Sequence, residues 1–366
     1  MKKSLIALAA LGAFAGAASA QSSVTLYGLV DVNYQYIKAS DAFGGGDINK
    51  LADGAEFGGP GSRWGLRVAE DLGSGLKANV VLESGFSADT GNVNGGSTLF
   101  GRQAFISLAS STLGEVRLGR QYTLHDEVMS LNNPFGNTTV MNPGAAGGYG
   151  VVGSLSNVTS RLPLFIDVVR QNNAVQYISP SFAGFRVQAM VAAGEGVTHR
   201  YQGLKGTYAQ GPLNVALSYE QSDAGAANVN KIVSLGANYD FGVAKIFAGY
   251  QQAKDLLFVP GVTIGAQNTA VPAVAGGLAF TATDQKAYTV GASVPFGAAT
   301  VAVNYTQAKY EGATGIDRDL GRVGVGATYA LSKLTSVYAA YGQSTGDLKD
   351  AVIEKRLFQL GLRKAF

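Results

Sequence analysis

The stretch VTLYGLVDVNYQY, residues 24–36, alternates apolar or small side chains with mostly polar ones. Every second residue from Val24 to Tyr36 is apolar or small, and the positions between them include Thr25, Asp31 and Asn33. A period of two is that of a β-strand with one apolar face. Strands of globular proteins average about five or six residues, whereas strands of about ten residues cross a bilayer at a tilt. The length of this stretch therefore favours a membrane-spanning strand over a strand of a soluble sandwich.

The same alternation recurs along the chain, in residues 76–87, 213–220, 300–306, 322–329 and 358–366. The phase is ambiguous around Phe105, and Phe247 falls on the polar face of its stretch. Aromatic residues stand near the predicted strand ends, at Tyr36, Phe86, Tyr219, Tyr250, Tyr305 and Tyr341. Aromatic residues at strand ends are typical of the girdles of membrane barrels. The sequence therefore predicts an all-β, antiparallel transmembrane barrel.

Turn signals set the number of strands. Seven short turns are predicted at residues 71–75, 110–114, 179–184, 210–212, 240–242, 295–297 and 331–334. Eight longer polar, Gly-rich stretches separate them, at about 38–61, 88–97, 122–167, 194–199, 221–230, 254–283, 311–320 and 344–354. These fifteen connections join sixteen strands, with both ends of the barrel on the turn side. A barrel of sixteen strands encloses an aqueous channel, whereas one of about eight fills its interior with side chains.

The composition excludes several classes of protein. The 366 residues include 50 Gly and no Cys, and the formal net charge is +3. Absence of Cys excludes disulfide scaffolds, Cys-ligated zinc and thiol catalysis. A charge of +3 excludes nucleic-acid binding by bulk positive charge. Together with the absence of a nucleotide-binding motif, this composition leads us to expect no cofactor and no nucleic-acid partner.

Residues 1–20 have the pattern of a secretory signal peptide. Lys2 and Lys3 are followed by an apolar stretch and by Ala18, Ser19 and Ala20, a small-residue cleavage site. We expect cleavage after Ala20, which leaves residues 21–366 as the barrel domain of an exported protein. No later segment has about 18 consecutive apolar residues, the length that a membrane-spanning helix requires.

The connection at residues 122–167 is too long for a plain surface loop. The spacing of Leu124, Val128, Met129 and Leu131 predicts a short amphipathic helical turn that packs on the inner wall. A long disordered loop is the alternative interpretation.

Five segments of the sequence resemble the general porins of β-proteobacterial outer membranes. They are QSSVTLYGLVDV (21–32), SRWGLRVAEDLGSGLKANVVLESGF (62–86), GRQAFISLASSTLGEVRLGRQY (101–122), SPSFAGF (179–185) and the terminal GLRKAF (361–366). The resemblance covers the mature chain and implies a trimeric, sixteen-stranded barrel whose third loop folds into the lumen as a constriction. It further implies passive passage of small hydrophilic solutes, and contact with outer-membrane lipid and lipopolysaccharide. The terminal Phe366 resembles the signal recognised by the barrel-assembly machinery.

The resemblance also assigns residues to the constriction. At the positions of the basic wall this sequence has Arg63, Arg102, Arg120 and Arg170. Lys77 is included as well, because it lies at an inward-facing position of its predicted strand. Asp126 and Glu127 fall on the third loop and are expected to face these cations. The loop has Asn133-Pro134-Phe135-Gly136 where enteric relatives have an acidic Pro-Glu-Phe-Gly-like tip. An excess of cations over carboxylates predicts a weak to moderate preference for anions.

Other functions are less well supported by the sequence. His125, Asp126 and Glu127 are adjacent, but neighbours in sequence rarely converge on one metal ion or substrate, and the chain has only one further histidine, His199. We therefore expect no enzyme activity and no metal site. Two alternatives to a general porin remain open: a substrate-specific channel, and a surface-recognition barrel that acts as an adhesin or phage receptor.

Overall fold

The computed structural model describes residues 22–41, 45–55, 61–93, 98–135, 151–152, 160–161, 164–165, 170–194, 200–223, 229–255, 282–312, 315, 317–350, 352 and 354–366. The first strands are β1 (Ser23–Ala39), β2 (Asp47–Asp53), β3 (Ser62–Gly73), β4 (Leu76–Phe86), β5 (Gln103–Ser110) and β6 (Gly114–Tyr122), followed by the helix α1 (Leu124–Leu131). Next come β7 (Val151–Val152), β8 (Ser160–Arg161), β9 (Arg170–Ile178), β10 (Phe185–Ala192), β11 (Tyr201–Gln210), β12 (Leu213–Asp223) and β13 (Val229–Asp240). The last are β14 (Lys245–Lys254), β15 (Ala282–Phe296), β16 (Ala299–Gly312), β17 (Arg318–Ser332), β18 (Thr335–Thr345) and β19 (Glu354–Ala365).

One closed antiparallel sheet contains every strand except β7 and β8, which pair only with each other. From β9 to β19 each strand pairs with the next along the chain, and β19 pairs with β1 to close the sheet. The pairing of β1 with β19 runs from Leu29 opposite Ala365 to Ala39 opposite Glu354. Closure removes the free edges that a flat sheet would expose, so the sheet is a barrel.

The second position of the barrel is occupied by two strands. β3 pairs with the first part of β1, with Ser23 opposite Ala69, and β2 pairs with the second part, with Lys38 opposite Asp47. The seventeen strands therefore fill sixteen positions, which confirms the predicted barrel. β2 lies within the stretch 38–61 that was predicted as a loop. Its sequence, DINKLAD, has too few apolar residues for the alternation to be recognised.

All seven predicted short turns join consecutive strands. Four of them have two residues between the strands, and in two of these, Gly211-Pro212 and Gly297-Ala298, the glycine has a φ of 60°, a conformation that glycine adopts without steric cost. The ends of the barrel meet on this side, where the N–H of Gly28 donates to the carbonyl of Phe366 at 3.0 Å. The turns thus form one rim of the barrel, and the longer connections leave from the other.

The outer face of the barrel is apolar and the inner face is polar. On β16, Val303 is 48% exposed on the outer surface, whereas its inward neighbours Asn304 and Thr306 are buried. An apolar surface turned outward and a polar interior are the reverse of a soluble core and suit a barrel surrounded by lipid. Phe105 and Phe247 both lie buried on the inner face, which settles the ambiguous phase at Phe105.

Exposed aromatic residues occur near both rims. The group near the turns comprises Phe182, Phe185, Tyr239, Phe241, Phe296, Tyr329 and Phe366, and the group nearer the loops comprises Tyr34, Tyr219, Tyr250, Tyr288, Tyr341 and Phe358. The rings of Tyr288 and Tyr305 are 6.1 Å apart on adjacent strands. Two such belts correspond to the two interfaces of a membrane with water. Within the described residues, no helix is long and apolar enough to cross a membrane.

The helix α1 follows β6 directly and packs against β11, β12 and β13. Leu124, Val128 and Met129 are buried, as the amphipathic spacing predicts. The contacts are with inward-facing residues, because the N–H of His125 donates to Glu220 Oε1 and His125 Nδ1 lies 2.7 Å from Ser234 Oγ. Residues 136–150 of the same connection lie outside the described residues.

Candidate functional site

On the inner face of β3 and β4, the buried carboxylate of Glu83 lies between two arginine side chains. Arg102, which precedes β5, donates from Nε to Glu83 Oε1 at 2.6 Å. Nε of Arg63, on β3, lies 3.7 Å from Glu83 Oε2, and the hydroxyl of Tyr27 donates to the same oxygen at 2.9 Å. Charge-assisted bonds of this kind fix the planes of the guanidinium groups. Glu83 therefore positions two of the predicted arginines and offsets part of their charge.

Tyr122 connects a third arginine to this group. Nη2 of Arg102 donates to the Tyr122 hydroxyl at 2.7 Å, and the guanidinium carbon of Arg170 lies 4.9 Å from the centre of the Tyr122 ring, within the range of a cation–π interaction. A bulge after Gly119 shifts the register of β6 against β9 so that Tyr122 lies opposite Arg170. Bulges redirect side chains in this way. We call Arg63, Arg102 and Arg170, with Glu83 and Tyr122, the cationic cluster.

Two other predicted members of the basic wall lie differently. Arg120 donates to the carbonyl of Gly101 at 2.7 Å and to Asn172 Oδ1 at 2.5 Å, so its charge is held by neutral acceptors. Lys77 is exposed at the turn end of β4, opposite Asp71. Six residues along a strand separate it from Glu83, roughly 20 Å at about 3.3 Å per residue. The structure does not bring Lys77 to the cationic cluster.

The acidic residues of the third loop face two different partners. Burial raises the pKa of the Asp126 carboxyl to about 6, and the nearby charges of Arg170 and Arg102 oppose this increase. Glu127 forms an ion pair with Lys205 on β11 and accepts a hydrogen bond from Gln188 Nε2 at 3.3 Å. Lys205 is fully buried, whereas Glu127 is half exposed. Asp126 is thus the carboxylate of the loop that lies in the field of the cationic cluster.

His125 is bound to the wall and does not join its acidic neighbours. Its ring contacts Ser234, and its backbone N–H donates to Glu220. Burial lowers the pKa of His125 to about 3, so the ring is neutral at physiological pH. No group of three or more His, Asp or Glu side chains suited to a metal ion occurs in the described part of the chain. The His125 ring and the Glu127 carboxylate therefore have different partners, Ser234 and Lys205.

Phe366 closes the barrel at the turn rim. Its N–H donates to the carbonyl of Gly28 at 3.1 Å, and its ring lies against Gly28 so closely that a Cβ there would overlap it, at 2.7 Å from one ring carbon. The ring is 53% exposed on the outer face. Phe366 is therefore accessible from outside the barrel, and its role in assembly stays a prediction.

Sequence reasoning missed three charged residues of the site: Glu83, Lys205 and Glu220. All three stand mid-strand at inward positions, and Glu83 and Glu220 were recognised only as polar members of an alternating pattern. A charged residue inside a membrane-spanning element is costly and marks a functional path. That signal, applied to inward positions, would have identified them.

The inner face therefore brings together a wall of cations, a loop segment with carboxylates and a polar lining, inside a barrel with an apolar exterior. A model of the Gram-negative porin family matches residues 7–349. The chain belongs to this family. It is an outer-membrane porin.

The porin is similar over its whole length to proteins of the same kind. An outer membrane porin protein of Bordetella pertussis is 33% identical, with 100% of both chains covered. The solved structure of an anion-selective porin from Comamonas acidovorans is 27% identical and superposes with a TM-score of 0.66 over 94% of this chain and 100% of that one. OmpT of Vibrio cholerae, described in a trimer form, has a TM-score of 0.63 and 16% identity over 94% of this porin and 99% of its own chain, which shows the fold alone.

Proposed function

We propose that this porin lets small hydrophilic solutes and ions diffuse passively through a constriction between the cationic cluster and residues 124–135, with a weak to moderate preference for anions. The observation that carries this proposal is that α1, which contains Asp126 and Glu127, packs on the inner face of the same barrel whose inner face holds Arg63, Arg102 and Arg170 together. Positive and negative charges then border the same narrow passage from different sides. Passage of this kind needs no catalytic group, and we propose none.

The charges act more strongly here than they would on an open surface. The apolar wall of the barrel has a low dielectric constant and concentrates the field in the lumen. A field directed across the pore orients dipolar solutes and makes the passage of bulky apolar molecules unfavourable. The same few charges therefore favour polar solutes over apolar ones and anions over cations.

The preference for anions follows from the balance of charge near the passage. The cations are Arg63, Arg102, Arg120, Arg170 and Lys205, and the carboxylates are Glu83, Asp126, Glu127 and Glu220. Glu83 and Glu127 are each bound to a cation, so the excess is small. The channel therefore prefers anions but also conducts cations. The similarity to a porin described as anion-selective supports this direction.

We further propose that the porin works as a homotrimer in contact with outer-membrane lipid and lipopolysaccharide. The apolar outer face and the two aromatic belts supply the surface for lipid and for neighbouring subunits. Assembly would begin with recognition of Phe366 by the barrel-assembly machinery, after removal of residues 1–20.

A test of the proposed function replaces Arg63, Arg102 and Arg170 by Gln together. Loss of three positive charges from the passage should shift the reversal potential in a KCl gradient across a planar bilayer toward cations. The control is Lys309→Gln, which removes a charge at an exposed ion pair with Asp317 outside the lumen. An unchanged reversal potential in the triple variant would remove the assignment of the cluster. Absence of any channel in the unaltered protein would favour a surface-recognition role instead.

A further inference from the structure

Five glycines on the inner wall lie against residues 124–135. They are Gly203 on β11, Gly236 on β13, Gly249 on β14, Gly291 on β15 and Gly326 on β17. A Cβ at Gly249 would stand 2.5 Å from Cγ of Asn132, and one at Gly236 would stand 2.5 Å from Oδ1 of the same residue. Non-bonded atoms cannot approach so closely. The segment fits against the wall because glycine has no side chain at these positions.

The order of the glycines around the barrel matches the order of the residues that they contact. Gly203 lies against Leu124, Gly236 against Val128 and Asn132, Gly249 against Asn132, Gly291 against Pro134 and Gly326 against Phe135. The segment thus runs around the wall from β11 to β17 while its residue numbers rise. Five separate strands supply these positions, and all five glycines accommodate one continuous piece of chain.

Polar contacts hold the segment between the glycines. Asn238 Nδ2 donates to the carbonyl of Leu131 at 3.0 Å, and Glu220 accepts the N–H of His125. These bonds satisfy buried groups that would otherwise lack partners. The segment is therefore attached to β12 and β13, within the arc of strands from β11 to β17 that carries the glycines.

We propose that these five glycines form a seat that sets the cross-section of the pore by fixing how close residues 124–135 lie to the wall. The proposal rests on the proposed function, because it takes this segment as one side of the constriction. Gly236 and Gly249 are the positioning residues with the most direct effect, since the nearest atoms to an added Cβ all belong to the segment. A side chain at either position displaces Val128 and Asn132 away from the wall, toward the centre of the lumen.

The main test is single-channel conductance of Gly249→Ala and Gly249→Val. Conductance should fall in both variants and fall further with the larger side chain, because the segment then occupies more of the lumen. Gly206→Ala is the matched control: it places the same methyl group on β11, at a position with no atom within 4 Å. Conductance equal to that of the unaltered protein in both Gly249 variants would overturn the seat.

A rescue variant separates the seat from a general loss of stability. The atoms closest to a Cβ at residue 249 belong to the Asn132 side chain. Asn132→Ala combined with Gly249→Ala should therefore recover conductance relative to Gly249→Ala alone. A double variant no better than the single one would contradict the assigned contact.

A cross-link tests the same contact with a measurement that does not depend on conductance. The chain has no Cys, and a Cβ at residue 249 would lie 3.1 Å from Cβ of Asn132, near the range of about 3.5–4.5 Å found in disulfides. Asn132→Cys with Gly249→Cys should form a disulfide on oxidation, visible as a change in migration of the unfolded chain. Failure to cross-link in a folded barrel would overturn the seat. If the arginine variant shifts selectivity while the glycine variants change nothing, the seat fails and the proposed function stands.

Discussion

Glu83 shows how one side chain determines the behaviour of several others. It is buried on the inner face and binds Arg102, Arg63 and the hydroxyl of Tyr27. Without a carboxylate at this point, the two guanidinium groups would repel each other and separate. Glu83 therefore supports the compact arrangement of the cationic cluster while it lowers the net positive charge of the cluster.

Replacement of Glu83 by Gln should increase the preference for anions. The substitution removes one negative charge from the passage and leaves Arg102 and Arg63 without their shared carboxylate. We expect the reversal potential in a KCl gradient to shift toward anions, opposite to the shift in the triple arginine variant. Glu311→Gln is a suitable control, since Glu311 is paired with Lys286 on the outer side of the barrel. A shift toward cations, or none, would contradict the role of Glu83.

The residues of the site were predictable to different degrees. Arg63, Arg102 and Arg170 were named from the sequence, and the structure brings them together. Glu83 was not named, because its significance depends on the register of β3 against β4, which places Arg63 opposite Gly85. Alternation gives the face on which a side chain lies, but not which residues lie beside it on other strands.

At the scale of elements, the seam between β1 and β19 depends on one buried ion pair. Asp31 on β1 is fully buried and accepts hydrogen bonds from Arg363 on β19, at 2.7 Å from Nη2, and from the Tyr338 hydroxyl on β18 at 2.8 Å. Its backbone N–H is bonded to Ser62 Oγ, at the start of β3. Asp31 thus connects the first, second and last positions of the barrel, through its carboxylate to β19 and through its backbone N–H to β3.

Asp31→Ala should weaken this seam. Removal of one partner of a buried ion pair costs about 3–5 kcal/mol, because the other charge stays buried. We expect the variant to lose its folded migration on a denaturing gel at a clearly lower temperature. The matched control, Asp47→Ala, breaks an exposed ion pair with Lys38 between β1 and β2 and should change this temperature little. If both variants lost their folded migration at the same temperature, the stabilising role of Asp31 at the seam would be contradicted.

The sequence predicted most elements but missed β2 and the short pair β7 and β8. The turns were found because Gly, Pro, Asn and Asp have specific conformational roles there, and the helix α1 because its apolar residues recur at helical spacing. β2 was missed because its pairing with β1 depends on backbone hydrogen bonds rather than on an apolar face. A pattern of side chains cannot reveal a strand whose stability comes from its neighbour.

At the scale of the whole molecule, selectivity should depend on pH through the loop. Burial raises the pKa of Asp126 to about 6, so the carboxyl gains a proton as the pH falls through that value. Protonation removes a negative charge from the passage, and the preference for anions should therefore increase toward lower pH. The measurement is the reversal potential as a function of pH. Asp126→Asn should give a constant value over the same range, and an equal pH dependence in both proteins would contradict this assignment.

The whole barrel follows from the sequence more directly than the pore does. The number of strands, the face on which each side chain lies and the positions of the turns all depend on short-range patterns, which a single sequence contains. The width of the pore depends on contacts between residues 124–135 and strands β11 to β17, which begin more than sixty residues later in the chain. Such contacts have no periodic signature, so only the folded structure reveals them.

The position of the glycine seat in the sequence implies an order of events during assembly. Residues 124–135 are synthesised and exported before the strands that carry Gly203, Gly236, Gly249, Gly291 and Gly326. The segment therefore has no place to dock until the second half of the barrel has formed. During assembly the strands from β11 to β17 must form first, and the pore acquires its final width only after they are in place.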